Sequence, residues 1–336
     1  MRRIIAATVV LLLLAAAASY TGYWFYIARR LPGTIADWAA ARSAEGYDAR
    51  WDSLAVGGFP ASFAVTFTGA ALAGARPLPF EAKAAAVIGE ARPWNLRRWH
   101  VTAPQGTRIE AAREGDAISA ALLDVTVATG ADRDTSVRVA AHQITGSGAA
   151  ALLGVADVDA QLSLPARPPA DHREEGARAT VRLLGISLPR AVPALGATID
   201  SVTLSGALKG AVRAGKLRDA LAAWRDDGGT IELEQAALRW NSLTASANGT
   251  LALDETLQPM GALTATIENQ NAVIDAAVAG GTMRAQDANL AKILLGLMAK
   301  PGPDGKKELT LPVTLQNRHL YLGPAQIAVL PVITWE

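Results

Sequence analysis

Cysteine is missing altogether from the 336 residues. No disulfide can staple the fold, and no thiolate is on hand to hold a metal or attack a substrate. Such a composition suits an envelope protein that avoids mispairing, although many cytosolic proteins are also poor in cysteine. Net charge is nearly missing too: 32 Lys and Arg against 31 Asp and Glu leave a formal +1. That balance gives no global field for nucleic acid or an acidic membrane surface. Aromatics are scarce, at 5%, although half of the residues are hydrophobic. Ala and Gly supply much of that half. Small side chains bury little area each, which favours an extended sheet over a compact globule. Catalytic motifs are lacking as well: there is no H-E-x-x-H, G-x-S-x-G, Walker loop or G-x-G-x-x-G.

What is present begins at the first thirty residues. Met1-Arg2-Arg3 leads into an uncharged apolar run over residues 4–27 that ends at Arg29-Arg30. About 24 residues at roughly 1.5 Å each cover the hydrocarbon core of a bilayer. Ile4, Leu11 and Leu14 belong to its middle and start. Tyr20, Tyr23, Trp24, Phe25, Tyr26 and Ile27 crowd its far end, where aromatic rings meet the membrane–water interface. Ala16-Ala17-Ala18 offers a signal-cleavage site, with cut after Ala18 as the alternative. The apolar run continues well past it with the aromatic belt inside, so the reading is an uncleaved single-pass anchor. Arg2 and Arg3 favour a cytoplasmic N-terminus, which places the bulk of the chain in the periplasm of an inner-membrane protein.

After the anchor, Thr34-Ile35-Ala36-Asp37 has the form of a capping box and predicts a short helix over residues 34–43. From Ala49 the apolar period becomes two. Phe63, Val65 and Phe67 alternate with polar neighbours, as do Trp99 and Val101, Ile109 and Ala111, Leu123, Val125 and Val127, and Val137 and Val139. The pattern continues through Val158, Ala160, Leu162 and Leu164, and through Ala179, Val181 and Leu183. This is the signature of half-buried strands in antiparallel meanders. Residues 166–172 are Pro-rich and charged, a surface loop or a joint between halves, and Pro189 and Pro193 mark another irregular stretch. Val202, Leu204 and Leu208 resume the alternation. Leu217, Ala220, Leu221 and Trp224 then take helical spacing, stopped by Gly228-Gly229. Ile231 and Leu233 are out of phase with Leu238 and Trp240, which places a bulge at Gln235-Ala236-Ala237. Residues 243–253 read as one long strand or, through Asn248-Gly249, as a tight hairpin; the unbroken phase favours the strand. Leu263, Ala265 and Ile267 form the next strand. Two helices follow, over residues 271–279 and around Leu290, Ile293, Leu294 and Leu297, the second stopping at Lys300-Pro301-Gly302. Short strands at 309–315 and 319–322 end the chain.

The expected fold is therefore mainly β with a few helices: one transmembrane helix followed by long antiparallel meander sheets, a curved sheet or an open barrel-like form. The division is 1–30 anchor, 31–170 N-terminal β-rich half with its short leading helix, and 171–336 C-terminal β-rich half with three helices, or one continuous domain.

Candidate chemistry is thin. His100, His142, His172 and His319 lack ligand spacing, and His100 and His142 fall on the polar faces of their strands, as solvated residues. Asp132-Arg133-Asp134 and Asp226-Asp227-Gly228 resemble pieces of calcium loops without the remaining ligands and are read as turns. Gly146-Ser147-Gly148, followed by Ala149-Ala150-Ala151, lacks a third glycine and is also a turn. Asn248-Gly249-Thr250 matches a glycosylation sequon by chance. Arg92, Arg97 and Arg98 interleave with Trp94 and Trp99, a pattern that can touch phosphate headgroups or nucleic acid. A solvated edge strand with two buried rings is the preferred reading, and export makes nucleic acid no partner. No catalytic residue, metal or cofactor is expected.

Several spaced motifs carry a family likeness. They are Trp51-Asp52-Ser53-Leu54, Gly57-Gly58-Phe59-Pro60, Pro93-Trp94-Asn95-Leu96, Gly229-Thr230-Ile231-Glu232, Leu238-Arg239-Trp240 and Leu243-Thr244-Ala245. Gly249-Thr250-Leu251-Ala252-Leu253-Asp254, Pro259-Met260-Gly261-Ala262-Leu263, Asn269, Leu309-Thr310-Leu311-Pro312 and Leu320-Tyr321-Leu322-Gly323-Pro324 continue the series. In order and spacing over most of residues 20–336 the chain resembles the DUF2125 family, an uncharacterised group of anchored proteins found mainly in alphaproteobacteria. Gln316-Asn317-Arg318-His319 departs from it, where a Gly-containing turn is expected. The resemblance implies no reaction. More loosely, long alternating strands behind one membrane helix look like AsmA-type envelope proteins, whose curved sheets can hold lipid chains on a concave face; that likeness is architectural.

The functional expectation is non-enzymatic binding of a lipid or an envelope partner on the sheet. Val125, Val127, Leu251, Leu253, Leu263 and Ile267 are the candidate apolar ligand face. The alternatives are a scaffolding protein with a closed core and, remotely, an envelope hydrolase working through carboxylates.

Overall fold

The computed structural model describes residues 2–74, 79–111, 115–148, 154–213, 215–281, 283–301, 307–323 and 325–335. Residues 149–151, Gly302 and Pro324, which figure in the motifs above, lie outside them.

The apolar run folds as the first part of one helix, α1 (Arg2–Ala44), which continues through Pro32. No separate helix starts at Thr34. Its hydroxyl donates instead to the Arg30 carbonyl, 3.1 Å away, so the expected cap is a back-bond inside a running helix. Proline in a helix interior removes one backbone donor and costs about 3 kcal/mol. The Ala-rich sequence from Ala36 to Ala44 favours helix strongly enough to carry the chain through.

The rest is one antiparallel sheet. Its early strands are β1 (Tyr47–Arg50), β2 (Ser53–Gly57), β3 (Phe63–Gly74), β4 (Phe80–Arg92), β5 (Asn95–Ala103), β6 (Thr107–Ala111), β7 (Ala117–Ala120), β8 (Leu122–Thr129) and β9 (Thr135–Ser147). The long middle strands are β10 (Gly154–Leu164), β11 (Glu175–Val192) and β12 (Gly196–Lys209). After α2 (Leu217–Asp226) come β13 (Thr230–Trp240), β14 (Leu243–Leu253) and β15 (Pro259–Glu268). Helices α3 (Asn271–Ala279) and α4 (Ala285–Met298) precede β16 (Lys300–Pro301), β17 (Lys307–Gln316), β18 (His319–Leu322) and β19 (Ala325–Val329). Of these, β1, β2, β4, β7, β16 and β19 have no counterpart in the sequence reading, which takes Lys300-Pro301 as a helix stop.

Connectivity is a meander. β1 and β2 share one side of β3, β5 and β6 share one side of β4, and β7 and β8 together pair with β9. From β9 each strand pairs with the next through β15, and β17 and β18 follow. The strands on either side of the Pro-rich loop, β10 and β11, pair directly. Among the described residues no pairing joins the β1–β2 end to the β18–β19 end, so the sheet is open and not a closed barrel.

Local chemistry explains the details. Residues 243–253 form a single strand. At Gly249 the backbone has φ +155, and a Cβ there would stand 2.3 Å from the Ala262 carbonyl, so the residue serves strand packing and not a hairpin. The register of β13 slips between Leu233 and Ala236, a bulge at Glu234 and Gln235 beside the expected place. The Asn317-Arg318 turn needs no glycine. Both residues take positive φ, 51° and 66°, as a two-residue hairpin of the primed kind requires. The Arg318 side chain is held there by donating to the Leu330 carbonyl at 3.0 Å.

Two clusters of buried residues lie toward the two ends of the sheet, with single residues such as Ala141, Ile186 and Ala207 buried between them. Trp24 and Ala28 of α1 enclose Phe63, with Val56 and Trp99 packed around them. Leu195, Leu243 and Ala272 form the second cluster, under α3, with Leu238, Trp240 and Ile267. Neither cluster includes a residue of β8, β9, β10 or β12. The total accessible surface is 20857 Å². A compact monomer of 35.0 kDa exposes about 13,000 Å². The bare part of α1, a rod about 27 Å long, accounts for on the order of 2,000 Å² of the excess. The remainder belongs to a sheet without a full second layer.

Candidate functional site

Cross-strand register assembles the apolar alternation into continuous rows. One row runs Val56, Val65, Gly89, Val101, Val125, Val139, Ala160, Val181, Leu204, Ala236, Ala247, Ala265 and Leu311, each opposite the next. A second row, beside it, runs Phe63, Ala91, Trp99, Val127, Val137, Leu162, Ala179, Gly206, Leu233, Gly249, Leu263, Val313 and Leu322. No polar side chain other than the indole N–H of Trp99 interrupts either row. Strands about 4.8 Å apart make each row about 58 Å long when followed along the sheet.

The opposite face is polar in the same register: Thr102, Asp124, Ala140, Asp159, Arg182 and Thr203 succeed one another across six strands. His142 pairs there with Asp157 at 2.6 Å and His100 with Asp124 at 3.3 Å, all well solvated. Arg178 joins Glu175 at 2.6 Å and also Glu234, and these two carboxylates push the guanidinium pKa up. Such exposed pairs fix register more than they stabilise.

The rows are covered at their ends and open in their middle. Phe63 is fully buried and Leu309, at the other end of the same face, is 2% exposed. Between them Leu162 is 36% and Leu204 45% exposed. The six residues singled out from sequence share this face. Val125 and Val127 pair with Val139 and Val137. Leu251 lies opposite Ile231, Leu253 opposite Pro259, Leu263 opposite Gly249 and Ile267 opposite Ala245. They do not form one compact site: β8 and β14 are six pairings apart, so the two groups sit about 29 Å from each other along the sheet.

At the β3 end, α1 is bolted to the sheet. Trp24 stacks on Phe63 with centroids 5.3 Å apart, and its Nε1–H donates to the Ser62 carbonyl at 3.0 Å. Tyr23 donates to the Pro93 carbonyl at 2.8 Å, and Tyr20 to that of Pro60. The sequence placed Tyr20, Tyr23 and Trp24 at the membrane interface through ring type alone; their partners lie about 40 to 70 residues away, beyond the reach of local pattern. Helix α1 is long and apolar enough to cross a membrane, and Ile4, Leu11 and Leu14 are 71%, 67% and 62% exposed. Trp94 corrects one expectation. It is 72% exposed, because it occupies the β4–β5 turn and not a strand; only Trp99 packs against the Trp24 cluster.

Along β4 the odd positions change character, from Val87, Gly89 and Ala91 to Glu81 and Lys83. Arg50, Lys83 and Arg108 with Glu81 line a cleft of about 930 Å³ at that end. Lys83 bridges Glu81 at 2.9 Å and Glu110 at 3.3 Å. Arg108 first and Lys83 second hold the Glu110 carboxyl below its ordinary range, while Glu81 and Glu110 raise the Lys83 pKa. Arg50, Lys83, Arg108, Glu81 and Glu110 each have an opposite charge beside them, and Asp52 lines the same cleft. Among the described residues no group of three or more His, Asp or Glu is placed to hold a metal.

These features define an open antiparallel β-sheet protein headed by one helix of membrane-spanning length. The model of a family described as an uncharacterized protein conserved in bacteria (DUF2125) matches residues 24–331, and the chain belongs to that family. No curated protein and no solved structure matches it.

Proposed function

We propose that the protein is anchored by α1 in the inner membrane, with its sheet in the periplasm, and that it holds the acyl chains of a lipid along the open apolar rows. It acts by binding and not by catalysis. The observation that supports this most is the combination of unbroken apolar register and partial exposure in β8–β12. An apolar face of that length left to water marks a binding surface. The polar face behind it gives the sheet the two-sided character of a trough. The first residue of the second row, Phe63, touches the anchor helix, so the covered end of the apolar face lies beside the bilayer and the open stretch begins a few strands farther along.

The test uses the full chain held in amphipol, with a fluorescent long-chain fatty acid as probe. Val181 and Leu204 face each other in the first row. Val181→Glu with Leu204→Glu should weaken binding at least about tenfold, the equivalent of about 1.4 kcal/mol. Thr180→Glu with Thr203→Glu, on the polar face, should leave it unchanged. Equal binding by both double variants contradicts the proposal.

A further inference from the structure

The bolts between α1 and the sheet also fix a depth. A hydrocarbon core of about 30 Å takes about 20 helical residues, so a span that starts at Ile4 ends near Tyr23. Tyr20 and Tyr23 are the residues that hold the Pro60 and Pro93 carbonyls. The β2–β3 and β4–β5 turns therefore lie level with the boundary between acyl chains and headgroups. Both turns carry exposed rings there: Phe59 is 47% and Trp94 72% exposed. Phe59 stacks on Phe25 of the helix, with centroids 5.7 Å apart, which makes its exposed surface continuous with that of the anchor.

Cations lie at this level and about 10 Å beyond it along α1. Arg92 lies 6.0 Å over the Trp94 ring and donates to the Ala61 carbonyl at 3.2 Å. Arg30 lies 4.7 Å over Tyr26. Neither arginine, nor Arg97, has a carboxylate partner among the described residues, whereas most charges elsewhere on the sheet are paired. Exposed rings flanked by unpaired arginines are the chemistry of a phospholipid interface.

We propose that these two turns are a second membrane contact: Phe59 and Trp94 insert at the headgroup level of the bilayer that α1 spans, and Arg92 and Arg97 meet lipid phosphates. The contact rests on the reading of α1 as a membrane span. It fixes how the sheet is held on the bilayer, with the covered end of the apolar rows beside the headgroups.

A chain without cysteine makes the test direct. Single cysteines are placed by Trp94→Cys, Phe59→Cys, Leu11→Cys and, at the opposite rim of the sheet, Ser242→Cys. Each full-length variant carries an environment-sensitive fluorophore in vesicles of phosphatidylethanolamine and phosphatidylglycerol. Nitroxide lipids labelled near the headgroup should quench positions 94 and 59 severalfold more than position 242, and deep nitroxides should quench position 11. Positions 94 and 59 quenched no more than 242, with position 11 quenched, overturns the contact and leaves the anchor standing. No quenching at position 11 overturns the span and the contact with it. Trp94 touches no buried cluster, so that variant reads depth without disturbing the fold.

Discussion

Trp24→Ala should cost about 3–5 kcal/mol, the range for removing a buried aromatic side chain. Its ring is 4% exposed and contacts Phe25, Phe59 and Phe63. The variant also leaves the Ser62 carbonyl without its indole donor. For a chain of this size such a loss lowers the unfolding midpoint by about 4–7 °C. Trp24→Phe keeps most of the ring contact and should cost about 1 kcal/mol, the worth of one hydrogen bond. Thermal unfolding of both variants in detergent, followed by circular dichroism, measures the difference. Protease sensitivity within residues 28–44 should rise in Trp24→Ala only. A midpoint equal to that of the parent in Trp24→Ala means that the helix is not docked on the sheet in the native protein.

Leu11→Arg carries the second large effect. Leu11 sits midway along the part of α1 that touches nothing else, and a guanidinium at the centre of a bilayer costs about 2.5–3.5 kcal/mol. That is about two orders of magnitude in the insertion equilibrium. An arginine at the middle of a span is too far from either interface to snorkel. Carbonate extraction of cell membranes should move Leu11→Arg into the soluble or degraded fraction. Thr34→Arg, beyond the span on the same helix, should stay with the membrane. If Leu11→Arg also pellets fully with the membrane after extraction, residues 4–23 are not a span.

Most of the long strands were legible because a one-sided sheet writes its faces directly into the sequence. Val137, Val139 and their partners Leu162 and Ala160 alternate in register with polar neighbours, and pairing needs nothing more. The same held for α2, where Leu217, Ala220, Leu221 and Trp224 share one face, and for residues 243–253. Three features were not legible, each for a physical reason. Helix α1 runs through Pro32 and Gly33, two residues that ordinarily end helices, and the Thr34 hydroxyl that resembles a cap turns back to Arg30. Trp94 looks like part of an alternating strand with Trp99 until the β4–β5 turn is known. The bonds from Tyr20 and Tyr23 to the Pro60 and Pro93 carbonyls join segments that no local period connects. The candidate ligand face was found by hydrophobicity alone, so its six residues share a side of the sheet without sharing a neighbourhood. What local pattern could not supply was the register, and it is register that turns scattered Val, Ala and Leu positions into two rows reaching from the anchor to β18.

The most direct measurement places a photo-activatable benzoyl-phenylalanine at successive positions of β12 in the full-length protein expressed in cells. Val202 and Leu204 point to the apolar face, and Thr203 and Ser205 to the polar one. Irradiation should yield lipid adducts at positions 202 and 204 and none at 203 and 205. Adducts at all four positions, or at none, contradict an open lipid-holding face.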